Sequence, residues 1–433
     1  MRRFYILSGG TFSHIAPHFS VAAPAFGKVG RELLPLLRAA FHAGGQADAS
    51  VHLALTRMAL GGGERRPSEE ENLRSAGVSD LITNEDVEKF LSHILQDPET
   101  RGILLPAAMV DFNPSMYMDG DLFGVPMGRN SPRLKSSREN VIVSFHSAPK
   151  VLPLLRKERK DIFVAGFKTT AGATLDEQYL AGLGLLKSSG INLVLANDIN
   201  TRLGMVITPE QARYHVSTSR HEVLKGLAEM YALRCKGHFT RSTVVPGDPI
   251  PWGTVDSTLK TVVDHCISRG AYKPFRGVTV GHFAARGPGA SILTSRRKTN
   301  FNNLNNPGEG LVQIDPMGYG VVIAHGAKPS VGGQSQRSIF TDHQDVDCIF
   351  HAHVPIRPGS DVPMVSQRPF ECGSTECGEN TSRGLKSFGR IKAVMLDNHG
   401  PNVAFPKDID PMEVINFIEA NFDLEGRTDN VSA

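Results

Sequence analysis

The N-terminal half alternates short apolar runs with longer stretches of helical period, and few architectures satisfy such an alternation. Phe4–Leu7, Val51–Leu55, Gly102–Pro106, Ile162–Gly166 and Asn192–Ala196 have the length and residue types of buried strands. Between them, and after the last, Gly30–Ala43, Asn84–Leu95, Leu175–Ser189 and Ser219–Arg234 read as helices. Strands joined through helices predict an α/β domain with a Rossmann-like parallel sheet and helices on both faces. Glu85 and Asp86, after Asn84, suit the positive end of the second helix.

From Gly237 to Trp252 the pattern lapses into Gly, Pro, Ser and Thr, which marks a linker or a domain edge near residue 245. Two domains, 1–245 and 246–433, follow, since 433 residues exceed the size at which one core stops growing. The second part opens with a helix, Val255–Ser268. Short strands come next at Gly277–Phe283, Ser291–Thr294, Leu311–Ile314, Val321–Ala324, Cys348–His353 and Ala393–Leu396, and a helix, Pro411–Phe422, closes it.

A formal net charge of +3, with basic runs as short as Arg296 to Lys298, argues against a nucleic-acid partner. No apolar stretch approaches the roughly 20 residues that span a bilayer, so no membrane association is expected. Five thinly spread cysteines and a start without a signal-like pattern suit a reduced cytoplasm. Cys372 and Cys377, two thiols alone, are expected as buried small residues.

In Phe350-His351-Ala352-His353 a strand places both histidines on one face, because side chains alternate with period two. His399 follows another apolar run and precedes Gly400, which permits close backbone approach. Three neutral imidazoles with open positions make a usual site for a catalytic divalent metal. An isolated His-X-His is also compatible with coincidence, so the surrounding sequence has to decide.

The order Gly281-His282-Phe283-Ala284-Ala285-Arg286, Ile292-Leu293-Thr294, Lys328-Pro329-Ser330, His351-Ala352-His353 and Asn398-His399-Gly400 resembles the class II aldolase and adducin-head family. The resemblance implies a class II aldolase-like α/β domain with a central, mainly antiparallel sheet. It also implies zinc or a related divalent ion on His351, His353 and His399, polarising a carbonyl and stabilising an enediolate. Ser330 keeps the residue type of the family's phosphate-binding Pro-Ser segment, and His282 stands where the family has a substrate-binding Asn. Arg296 and Arg297 replace a small residue and a glycine of the phosphate loop, which points to an anionic substrate held by guanidinium groups. Aldolase relatives imply a homo-oligomer.

The family's acid/base glutamate aligns with Gly332, so the proton-transfer group is missing from its usual place. Gln334 and Gln336 lie nearby but cannot take a proton. Asp342, Glu371 and Glu376 are the carboxylates available to replace it, each also readable as a solvated surface group.

In the first domain, Ser8-Gly9-Gly10-Thr11 follows the first strand and Gly27-Lys28-Val29-Gly30 opens the next helix, an arrangement suited to phosphate. With Pro106-Ala107-Ala108-Met109-Val110-Asp111-Phe112, Ala165-Gly166-Phe167-Lys168-Thr169-Thr170 and Leu195-Ala196-Asn197-Asp198, these motifs resemble the phosphopantothenoylcysteine synthetase family. That resemblance implies a nucleoside triphosphate, CTP or ATP, near Gly9, Gly10, Thr11, Gly27, Lys28, Ala108, Asp111, Lys168 and Asn197, with Lys135 in the position of the family's loop lysine. The Arg and Asn that handle the acyl intermediate are Phe19 and Ala23 here, which speaks against the original ligase reaction. The expected function is a bifunctional enzyme: a metal-dependent lyase acting on a small anionic carbonyl compound, joined to a nucleotide-using domain. The alternatives are a divergent CTP- or ATP-dependent amide ligase carrying a metal-binding module, and a non-enzymatic adducin-like protein.

Overall fold

Five parallel strands form the core of the first unit: β1 (Arg2–Gly10), β2 (Ala49–Leu55), β3 (Thr100–Leu105), β4 (Phe163–Thr170) and β5 (Leu193–Asp198), in the spatial order β2-β1-β3-β4-β5. A sixth, β6 (Gly204–Ile207), pairs antiparallel with β5. The computed structural model describes residues 1–61, 63, 65, 67–117, 127–135, 141–239, 241–306, 309–316, 321–331 and 333–428.

Helices α1 (Lys28–Ala43), α2 (Asn84–Gln96), α3 (Leu175–Ser189) and α4 (Arg220–Arg234) cover this sheet. Adjacent residues on a strand face opposite ways. Phe4 packs on Phe41 of α1 and Tyr231 of α4, whereas Tyr5 packs on Phe90 of α2, so helices lie on both faces, as the alternation predicts. Helix α2 starts at Asn84, as expected. Thr83 is its N-cap and forms a capping box with Asp86. Asn84 instead bonds Thr11 and the Val110 carbonyl.

The chain divides into residues 1–208 with 214–235, and residues 209–213 with 236–433. It thus leaves the first unit at Cys235, ahead of the boundary expected near 245. The segment read as a linker belongs to the second unit's sheet: Arg241–Val245 pairs in parallel with Val321–His325, and Trp252 is buried. Thr243, Val244 and Val245 are good strand formers, and on an edge they need no apolar alternation to pair.

The second unit is built on β7 (His282–Arg286), β8 (Ile292–Ser295), β9 (Gly310–Pro316), β10 (Val321–His325), β11 (Cys348–His351), β12 (Ile391–Leu396) and β13 (Gly400–Phe405). Their order is β10-β9-β8-β7-β11-β13-β12, with every neighbouring pair antiparallel. One face carries Phe283, Phe350, Val403 and Phe405 and packs on α5 (Ser257–Ser268) and α8 (Pro411–Asn421). The other carries Ala284, Ile349 and Ala404 and packs on Ile339 and Phe340 of α6 (Gly333–Asp342). The polar helix α7 (Thr375–Gly384) lies against α6 and β12. No described helix is long and apolar enough to cross a membrane.

Candidate metal centre

Strand β11 ends at His351, so His353 stands in the bend beyond it and is not placed by strand alternation. Chain approach places it instead. Gly400 has φ 145°, and a Cβ there would sit 2.0 Å from the Ala352 carbonyl oxygen and 3.1 Å from the His353 Cα. Only glycine lets the start of β13 run that close, and His399, one residue earlier, arrives beside both other histidines. One ligand atom from each of His351, His353 and His399 lies within 4.8 Å of the others. The ring centroids are 5.1, 4.8 and 4.7 Å apart.

His351 Nδ1 is 2.7 Å from the Pro401 carbonyl oxygen. A carbonyl only accepts, so Nδ1 carries the proton and Nε2 keeps its lone pair for a ligand. Burial pushes the His351 imidazole down to about 4, against the raising effect of the Pro401 bond. At neutral pH it is therefore uncharged, the form that binds a metal. The donor set, its spacing and the carbonyl behind His351 all fit a divalent ion of the zinc type. Among the described residues no carboxylate joins this cluster.

His282 is buried beside His351, ring centroids 4.6 Å apart, and Gln336 of α6 reaches its Nδ1 at 3.0 Å. Burial, then the neighbouring His351, holds its pKa well below the ordinary histidine value. Arg296 forms an isolated bridge with Pro329, while Arg297 N–H donates to the Lys328 carbonyl and Ser330 N–H to the Ser295 carbonyl. The arginine turn and the Pro-Ser segment are thus neighbours, with Arg297 exposed and Arg296 and Ser330 half-buried.

Gly332 lies outside the described residues. Its neighbour Val331 packs on Gly373, where a Cβ would meet the Val331 Cγ1 at 2.4 Å. The turn Glu371–Gly373 is therefore set against Val331, and Glu371 is 3% exposed. Glu376 is engaged elsewhere: its Oε1 is 2.6 Å from His238 Nδ1. Burial would raise its pKa, but the His238 hydrogen bonds outweigh that and hold the carboxyl low. Asp342 accepts from the Ser382 hydroxyl. Cys377 is buried as expected, whereas Cys372 is half-buried.

In the first unit, the chain passes from β1 through α1 to β2 on one side and then through α2 to β3 on the other, which makes the β1/β3 edge the switch point where such sheets take ligands. Gly9 and Gly10 pair with Ala107 and Ala108 there. Gly10 N–H donates to the Ala25 carbonyl, and Thr11, fully buried, accepts from Val110 N–H and donates to Asn84. Gly27 takes φ 73° as N-cap of α1, leaving Lys28 exposed on the first turn. Asp111 pairs with Lys150, Asn197 accepts from Thr169, Lys168 is half-buried, and Lys135 is exposed.

No family model matches this chain, and no curated protein matches it. Among solved structures, the DNA/pantothenate metabolism flavoprotein from Streptococcus pneumoniae is 20% identical, covering 53% of this chain and 98% of its own, with a TM-score of 0.39. A sugar-phosphate aldolase from Thermotoga maritima is 18% identical, covering 38% and 88%, TM-score 0.29. An L-fuculose 1-phosphate aldolase is 15% identical, covering 38% and 83%, TM-score 0.29.

Pro401 escapes sequence reasoning altogether, and Gln336, noted there only as unable to take a proton, escapes it as the partner of His282. Pro401 acts through its carbonyl, which any residue has. Gln336 is legible only once α6 is known to cover the sheet, and the polar sequence of that helix hides it.

Proposed function

We propose that the second unit is a divalent-metal-dependent lyase of the aldolase type acting on a small anionic carbonyl compound. The observation that carries this reading is the convergence of three histidines, one locked by Pro401 into the tautomer that leaves Nε2 free. An ion held there supplies Lewis acidity toward a carbonyl oxygen. Arg296 and Arg297, beside Lys328 and Ser330, set guanidinium and hydroxyl donors against the substrate's anionic group. Glu371 is the carboxylate we assign to proton transfer, because it is buried on a turn that packs against Val331.

Elemental analysis tests the reading. The protein is expected to retain about one zinc or related ion per chain, and the triple variant His351→Ala, His353→Ala, His399→Ala none. Full occupancy in that variant overturns the site.

For the first unit we infer a nucleoside triphosphate, CTP or ATP, at the β1/β3 switch point. The exposed Lys28 at the start of α1 and Lys168 on β4 supply cationic groups. A ligase with a bound metal module is the second reading; lyase turnover by the metal unit separates the two.

A further inference from the structure

The register of the second sheet sets three polar residues side by side on the face under α6: His282 of β7 opposite His351 of β11, and His351 opposite Asn402 of β13. Directly paired residues on one face hold their Cβ atoms about 4.5–5.5 Å apart. The Asn402 amide therefore flanks the His351 imidazole on one side as His282 flanks it on the other. His282 has its partner in Gln336. Asn402 is 1% exposed, yet neither its Nδ2 nor its Oδ1 has a hydrogen-bond partner among the described residues.

Exchanging the amide's oxygen and nitrogen changes nothing, since both atoms are bare. Burying a polar group without partners is costly, and Ala284, Ile349 and Ala404 on this face are apolar. An apolar residue would serve the fold better at 402. Such a local loss of stability is found where a group is kept for a ligand.

We propose that Asn402 is a specificity-determining residue that binds a hydroxyl group of the ligand beside His351. An amide offers a donor and an acceptor in one plane, and a hydroxyl answers both. This inference rests on the metal-centre reading in that the ligand is the one held next to His351.

Glycolate and acetate, alike except for one hydroxyl, are the probes. Calorimetric titration of the zinc-loaded and ion-free wild-type protein is expected to show glycolate binding at least about tenfold more tightly than acetate in the zinc-loaded form. In Asn402→Leu, which replaces the amide by an apolar group of similar size, the preference should fall to about twofold or less. Zinc affinity should stay unchanged, and the melting temperature of the ion-free variant unchanged or higher. If the leucine variant fails to fold by circular dichroism, Asn402→Ala takes its place. A preference kept in the variant overturns the proposal, as does its absence from both wild-type forms. A lower melting temperature with the preference retained would make Asn402 the seat of a structural water. Failure of zinc to bind the wild type counts against the metal centre, and the glycolate preference of the ion-free protein then decides the role of Asn402.

Discussion

Stability of the second unit should depend on pH through His351 in a way that can be calculated and isolated. The group titrates at about 4 in the folded protein against 6.5 for an unperturbed histidine. Between these values the unfolded chain binds a proton that the native state refuses, so stability rises with pH there. The contribution is complete above pH 6.5, is lost as pH falls toward 4, and is flat below. A shift of about 2.5 units corresponds to about 3 kcal/mol at the acid end. Trp252, the single tryptophan, is buried in the second unit's core and reports that unit's unfolding. Urea denaturation followed by its fluorescence, on protein stripped with EDTA, gives the profile for wild type and for His351→Asn. The asparagine variant should lose about 3 kcal/mol less between pH 7 and pH 4. Parallel profiles for the two proteins would refute the argument, because His351 would then be as accessible to protons as in the unfolded chain.

Two further outcomes are expected. Gly400→Ala places a Cβ 2.0 Å from the Ala352 oxygen at φ 145°, so it should cost at least about 1–3 kcal/mol and reduce zinc retention even though no ligand is altered; unchanged zinc content would show that the site does not depend on that close approach. A nucleoside triphosphate at about 100 times its dissociation constant should stabilise the first unit by about 2.7 kcal/mol, and the absence of any thermal shift with millimolar CTP, ATP, GTP and UTP would dismiss the site.

The first unit was legible because most of its strands are short, largely buried apolar runs, and because α1 and α2 each carry a clear apolar face. The strands expected at Phe4–Leu7, Val51–Leu55, Gly102–Pro106, Ile162–Gly166 and Asn192–Ala196 are the five parallel strands, with their ends shifted by up to four residues. Helix Leu175–Ser189 has the expected bounds, set by the capping box at Thr174 and by Gly190 in the left-handed conformation. In the second unit the elements passed over are those with weak apolar signals. Helices α6 and α7 are mostly polar, and β13 begins Gly-Pro, which reads as a turn. Both helices cover a sheet face that supplies most of the apolar surface itself, so their own sequences need little.

The histidine cluster shows what local reasoning can and cannot reach. Period-two alternation brought His351 and His353 together, but the strand ends between them, and the closeness comes from Gly400 fitting against Ala352. The glycine was visible in the sequence; which backbone it would touch was not, since that is fixed by the pairing of β11 with β13. The same holds for the proton-transfer group. A sequence aligns a missing glutamate only with its own position, whereas chemistry needs a carboxylate at a point in space. The turn carrying Glu371, which we propose for that role, reaches Val331 from a distant part of the chain by packing Gly373 on it. That packing has no signature in spacing or period. Burial and that packing, not freedom from partners, set Glu371 apart from Glu376, which pairs with His238, and from Asp342, which accepts from Ser382.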